Sequence, residues 1–306
     1  MGPTDEDKFA SAEQLWASGD PKTAAALHLA LSRHAQSPEL RLKSALVLVG
    51  RLNPGWEVDV ILEACSTGMN MAEKLAKPAT TAYLMGMRAK NLAILNGSLI
   101  TTRKSLRLAP RWLGFSLQRD EEQYKSLTTR IKRNDEEIDR LANNAQKTCG
   151  DQQTLGHVLL SIGNICFQRY MSVKSDCLQS SVRLPAFVRQ HLRSLALDEY
   201  LWYGTAARQA MGNHLKECER TYSEAVAAFR AAGDELNAAY AFYALANDLR
   251  TANRFRKAKR YLQEAKTIAR HHNDQTLLNR IPLLEERIRR RNRNVPDYAA
   301  GERTNE

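Results

Sequence analysis

Apolar residues step by three and four along most of the chain, the period of a single helical face. Phe9, Ala12 and Leu15, then Ala24, Leu27 and Leu31, read as two helices joined at Gly19-Asp20-Pro21. Gly19 ends the first, Asp20 caps the second, and Pro21 suits its first turn. Pro38 opens a helix through about Val49, and Asn53-Pro54-Gly55 breaks it. Helices over 56–75 and 80–95 follow, with a break near Lys77-Pro78. Asn96-Gly97 reads as a turn. From there to Leu117 the pattern is poor, with Pro110 and Gly114 inside it, so the main boundary is expected there.

The stretch 118–147 reads as one long helix. Tyr124, Leu127, Ile131, Ile138, Leu141 and Ala145 alternate by threes and fours, with Asn134 in the seat that would complete the row. So narrow a stripe resembles a coiled-coil seam. It predicts either a protruding arm that forms a homodimer through 118–147, or an edge helix packed on its neighbour. A helix over 154–170 follows, then one over 185–211 that Gly212-Asn213 ends. Helices over 214–232, 235–251 and 254–272 come next. The last carries Leu277, Leu278, Ile281, Leu284 and Ile288, with Pro282 starting or kinking it. Residues 294–306 read as a disordered tail.

One pattern occurs twice within 198–271. Trp202, Ala206, Asn213, Leu215, Cys218, Tyr222 and Ala225 recur in kind, at a constant offset, as Phe242, Ala246, Asn253, Phe255, Ala258, Leu262 and Ala265. Large and small residues in that order suit paired antiparallel helices, the small ones allowing close approach. Shifted back once more, the pattern falls on Ile162, Cys166, Val173, Ser175, Leu178, Val182 and Pro185 as a degenerate third copy. The second copy, with Leu245 and Leu249 added, resembles a tetratricopeptide repeat. Ala246, Asn253 and Arg270 depart from the family's glycine, turn glycine and proline. The period, from Trp202 to Phe242, exceeds the family's usual length of about 34, so longer helices are expected. The resemblance implies an all-α fold of stacked antiparallel helical hairpins, an α-solenoid, here with a long heptad-patterned helix in the middle. The expected organisation is N-terminal hairpins over 1–115, then the long helix, the repeats and a closing helix over 116–293.

Hydrophobic residues make up 43% and charged residues 26% of 306 residues, which is globular rather than disordered. No apolar run approaches the roughly 20 residues of a membrane span. Asp5, Glu6 and Asp7 do not suit a secretory signal. A cytoplasmic protein is the expectation. Cys65, Cys149, Cys166, Cys177 and Cys218 form no short-spaced pair, so small buried hydrophobes are expected rather than disulfides or zinc ligands. Met69, Met71, Met85 and Met87 read as core fillers or a groove lining.

Little in the sequence points to catalysis. Gly50 and Gly55 have phosphate-loop spacing, but Trp56 and Glu57 stand where lysine and a hydroxyl are needed. His271 and His272, adjacent on a helix, diverge by about a hundred degrees and do not share a metal readily. Arg208 and His214 resemble in spacing the Arg–His pair of helical ribonucleases of the HEPN type, where arginine would stabilise phosphate charge and histidine move a proton. The competing assignment places His214 beside an inter-helix turn at Asn213. No cofactor, metal site or catalytic residue is expected.

Two binding surfaces remain. By resemblance to the repeat family, non-core positions of first helices line a concave groove for a protein or peptide. Here they carry Tyr200, Tyr203, Tyr240, Tyr243, Asn247 and Arg250. Asn247 suits a peptide backbone and Arg250 a carboxylate. This gives the leading expectation, a non-enzymatic scaffold or regulator. The second surface is electrostatic. The net charge is +11, and residues 250–293 hold 14 Lys or Arg against 4 Asp or Glu. Arg254, Arg256, Lys257, Lys259 and Arg260 fall on one helix, and Arg287, Arg289, Arg290, Arg291 and Arg293 on the closing one. Such clustering attracts nucleic-acid phosphates, an acidic protein surface or an anionic membrane, or is simply a solvated outer face. Aromatic residues are not interleaved with the run, which argues against a base-stacking model.

Overall fold

The computed structural model describes residues 3–108, 117–180 and 205–291. They form eleven helices and no strand: α1 (Asp5–Ala17), α2 (Pro21–His34), α3 (Pro38–Arg51), α4 (Pro54–Lys74), α5 (Pro78–Leu108), α6 (Leu117–Thr148), α7 (Gln152–Ser180), α8 (Thr205–Ala231), α9 (Glu235–Thr251), α10 (Phe255–His271) and α11 (Gln275–Arg291). No helix among the described residues is long and apolar enough to cross a membrane. The chain divides into two compact units, Met1–Gln168 and Arg169–Glu306, with α7 running across the division. That division lies well past the expected one near 115, because α6 packs along α5 and belongs with the first unit.

Capping signals set the first helices. Thr4 accepts from the Asp7 amide and Asp7 accepts from the Thr4 amide, a reciprocal box at the start of α1. Asp20 and Ser37 cap α2 and α3, and Pro21 and Pro38 occupy their first turns. Gly19 takes φ +89° between α1 and α2, where a side chain would be strained. The core of the unit collects Leu42, Ala45, Leu48, Val49, Ile61, Ala64, Cys65, Met71, Ala72 and Leu84. Met69 and Met87 pack against it and Met85 beside the next cluster, so the methionines fill core space. Burial pushes the Cys65 thiol up to about 12, which makes it an inert apolar filler.

The apolar stripe of α6 is closed within the chain. Ile131 packs with Leu99 and Ile100, Ile138 and Leu141 with Ala89, Leu92, Ala93 and Ile165, and Ala145 with Ala82 and Val158. The dimer seam expected over 118–147 is therefore occupied by α5 and α7. Asn96-Gly97 is not a turn. The α5 helix continues to Leu108 because Asn96 is held from both sides: its amide donates to Asp135 Oδ1 at 2.9 Å and to the Ile131 carbonyl at 3.2 Å, and it accepts from Asn134 at 2.7 Å. Arg88 joins three helices, reaching Glu137, the Leu62 carbonyl and Ser66.

In the second unit, α9, α10 and α11 each have 17 residues and start at an even step, at Glu235, Phe255 and Gln275. Each of the three turns before them uses one left-handed residue: Gly233 (φ +74°), Asn253 (φ +60°) and Asn273 (φ +53°). The next amide closes each turn onto the helix behind it: Asp234 to the Phe229 carbonyl, Arg254 to Leu249 and Asp274 to Ala269. The periodic unit is thus one helix with its turn, half the repeat read from the sequence. Its backward extension fails. Gly212 and Asn213 lie inside α8, which is continuous, and Met211 and Leu215 are buried on either side of them. The first copy is not a hairpin with a turn at Asn213, and the third has no turn at Val173, which is inside α7. Residues 185–204 of those readings, and the tail 294–306, lie outside the described residues.

Candidate nucleic-acid interface

The groove helix predicted from sequence is the interior helix of its unit. No position of α9 from Asp234 to Ala252 is exposed. Ala238, Ala239, Ala241, Phe242, Leu245, Ala246, Asp248 and Leu249 are buried, so one narrow row remains half-covered. That row carries Tyr240, Tyr243, Asn247 and Arg250. Tyr240 is a strut: its hydroxyl donates to Asp274 Oδ2 at 3.1 Å, while Asp274 Oδ1 accepts from the Leu277 amide and caps α11. Burial first, and Asp274 next, raise the Tyr240 pKa. Arg250 Nη2 lies 3.4 Å from Asn247 Oδ1 and 3.3 Å from Thr251 Oγ1, so these two groove residues face each other. Tyr200 and Tyr203 lie outside the described residues. The structure therefore gathers four of the six groove residues on one row, where each is half-buried.

Arg208 and His214 sit on the same continuous helix, and the intervening turns place them about 120° apart in azimuth. Arg208 is exposed and His214 half-buried. Burial, with the positive Arg169 nearby, lowers the His214 pKa.

The basic run divides by helix face. On α10, Ala258, Leu262, Ala265 and Ala269 point inward, while Arg256, Lys259, Arg260, Gln263, Thr267 and Arg270 share the open side. From Arg256 to Arg270 this row runs about 21 Å at the helical rise. Arg254, Arg256, Lys259 and Arg270 have no ion-pair partner among the described residues. Lys257 and Glu264 stand at the edge of the row, and Lys257 is neutralised by Glu219 of α8 at 2.7 and 2.9 Å. On α11, Arg289 and Arg290 both engage Glu286, at 2.8 and 2.9 Å, which leaves Arg280 and Arg287 exposed without an ion-pair partner among the described residues. The Arg291 side chain and Arg293 lie outside the description.

The start of α10 breaks the usual charge rule. Arg254 is its N-cap without a side-chain cap bond, and the first turn carries Arg256 and Lys257 but no acid. Cations at a helix N-terminus oppose the macrodipole, at about 0.3–1 kcal/mol each when exposed. Asp234 and Asp274 cap the helices before and after in the ordinary way. Helix stability does not account for the three cations, whereas an approaching anion would be favoured by all of them. Asn253, Arg254, Phe255, Arg256, Lys257 and Lys259 line an open recess of about 590 Å³ at this end.

The composition of the face bears on what it takes. Between its cations stand Gln263 and Thr267, with no large apolar residue; Leu283 of α11 is the large hydrophobic side chain that stands exposed among the described residues. Protein–protein docking faces centre on buried aromatic or aliphatic anchors. Nucleic-acid faces are polar and strongly positive. No His/Cys/Asp/Glu group suited to a metal occurs among the described residues. The sequence signal for this site was the charge count alone; which cations are free depends on Glu219, which only the fold brings into reach, and on Glu286, three and four residues before Arg289 and Arg290 on the same helix. No protein-family model matches the chain, and no curated protein sequence matches it significantly.

Proposed function

We propose that this chain is a non-enzymatic helical-repeat binding module whose working surface is the outer face of α10, which takes the phosphate backbone of a nucleic acid. The carrying observation is the row Arg256, Lys259, Arg260 and Arg270, open along one helix side with Arg254 at its head. Four of these five cations are unpaired among the described residues. Planar guanidinium groups suit phosphate oxygens bidentately. Contacts of this kind hold the backbone and read no sequence.

The tetratricopeptide-like part of the reading rests on spacing. The first helices of successive hairpins, α1 and α3, start at Asp5 and Pro38, and the second helices, α2 and α4, at Pro21 and Pro54. Both steps fall beside the family's usual length of about 34. The second unit keeps the same plan with a longer step per helix, from Glu235 to Phe255 to Gln275. A peptide-binding scaffold remains the second reading, favoured by the row Tyr243, Asn247 and Arg250, which is half-buried rather than sealed.

The test is a pair of charge reversals in the full chain. Arg256→Glu with Lys259→Glu should weaken binding to a mixed-sequence 20-nucleotide RNA at least tenfold, with the far-UV spectrum unchanged. Lys22→Glu with Lys74→Glu, exposed cations of the first unit, should change affinity less than twofold. Equal effects of the two pairs would reduce binding to net charge and remove α10 as the site.

A further inference from the structure

Four side chains from three helices form a layered stack behind the basic face. The Phe242 and Tyr261 rings, from α9 and α10, lie 5.9 Å apart at an interplanar angle of 20°. Arg230 of α8 sits over Phe242 at 5.6 Å. Arg260 sits over Tyr261 at 4.8 Å, and its Nη2 donates to the Tyr261 hydroxyl at 3.0 Å. Arg260 thus meets Tyr261 twice, by its charge over the ring and by the bond to the hydroxyl edge, while Phe242 stacks against the same ring. Phe242 is buried and Tyr261 half-buried, while Arg260 is exposed.

This arrangement changes what Arg260 offers. An exposed arginine normally has about 2 kcal/mol of rotamer freedom to lose on binding. Here the ring contact and the hydroxyl bond restrain the guanidinium in advance. Nucleobases stack on guanidinium planes as they do on aromatic rings, and single-stranded segments are recognised that way because their bases are free. Arg256 and Lys259 precede Arg260 by four positions and one on the same open side, near enough to hold phosphates beside a base lying on the plane. Duplex bases are stacked on one another and do not reach it.

Building on the phosphate-backbone reading, we infer that the α10 face binds single-stranded nucleic acid, with Arg260 as the platform for one unpaired base and its free neighbours as the phosphate contacts. The stack explains how a stretch without exposed aromatics supports base stacking: Tyr261 is the foundation and the arginine is the surface.

The experiment compares three 20-mers by fluorescence anisotropy with the full chain: an unstructured single strand, a duplex, and a strand of abasic sites that keeps every phosphate. The single strand should bind at least fivefold tighter than the other two. Arg260→Lys keeps the charge but removes the plane, and should cut single-strand affinity about five- to tenfold while leaving the duplex, the abasic strand and the salt dependence unchanged. A silent Arg260→Lys, or an abasic strand bound as tightly as the normal one, overturns the platform and leaves the backbone reading standing. Absence of binding to all three probes overturns both.

Discussion

Asn134 Nδ2 donates to Asn96 Oδ1 at 2.7 Å and couples α5 to α6 in the middle of an otherwise apolar seam. Both side chains are buried. A polar pair at such a position fixes register, since any slide leaves two amides without partners. Asn134→Ala should cost about 1–3 kcal/mol by leaving Asn96 Oδ1 without its donor. Asn134→Leu with Asn96→Leu should recover most of that loss. Urea unfolding followed by circular dichroism reads both, and a double variant as weak as the single would show that the pair does not set the seam.

Two glycines predict opposite outcomes. A Cβ on Gly68 would stand 2.9 Å from Leu84 Cδ1 and 3.3 Å from Ala45 Cβ, in the tightest part of the first core. Gly68→Ala should destabilise by about 1–3 kcal/mol through overpacking. On Gly86 the nearest atoms, from Ser161 and Val158, are 3.6 Å away. Gly86→Ala should be neutral or gain up to about 1 kcal/mol from helix propensity. Matching thermal shifts of one sign would contradict this packing.

His28 gives the first unit a pH dependence. It is fully buried, with Phe9 edge-on at 5.0 Å and Trp16 at 6.1 Å. Its Nε2 lies 3.2 Å from Glu13 Oε1 without hydrogen-bond alignment. Burial dominates and lowers the pKa from 6.5; Glu13 pulls it up and Arg51 adds to the fall. The folded state thus prefers the neutral ring. This contribution is complete above pH 6.5 and is lost as pH falls from there through the lower folded value. The stability difference between pH 7.5 and pH 5 should shrink in His28→Leu relative to the parent chain. An unchanged difference, measured by urea midpoints, would rule the site out as a titrating one.

Tyr222 donates to Asp248 Oδ2 at 2.9 Å between α8 and α9, and both are buried. Tyr222→Phe leaves a buried carboxyl group short of one donor and should destabilise the second unit by about 1.5–3 kcal/mol. Thermal unfolding of the variant checks it; a shift under about one degree would mean that the bond carries no weight.

The helices could be read from the sequence wherever a local signal fixed them. Asp20-Pro21, Ser37-Pro38, Lys77-Pro78 and Asn253 all mark true ends, because capping oxygens, proline rings and left-handed backbone act within a few residues. Where the outcome hung on distant partners, the reading failed. Asn96-Gly97 and Gly212-Asn213 carry turn chemistry, yet both remain helical: Asn96 is tied to α6 by residues far along the chain, and Met211 and Leu215 are buried on either side of Gly212-Asn213. Part of the groove row has another use that the sequence does not show: a tyrosine has the same pattern whether it meets a ligand or, as Tyr240 does, a neighbouring cap such as Asp274. The basic face was legible as charge, but the division between free Arg256 and neutralised Lys257 came from Glu219, 38 residues away.

The most direct test of the account is the salt dependence of binding between the full chain and an unstructured 20-nucleotide single strand, followed from about 25 to 300 mM salt. With four to five cations of the α10 face engaging phosphates, log K should fall linearly with log salt at a slope of about −3, at roughly −0.7 per contact. The Arg256→Glu, Lys259→Glu chain should show a slope shallower by about 1.4 on the same basis. No binding at the lowest salt, or the same slope in both proteins, would contradict the assignment of this face to a phosphate backbone.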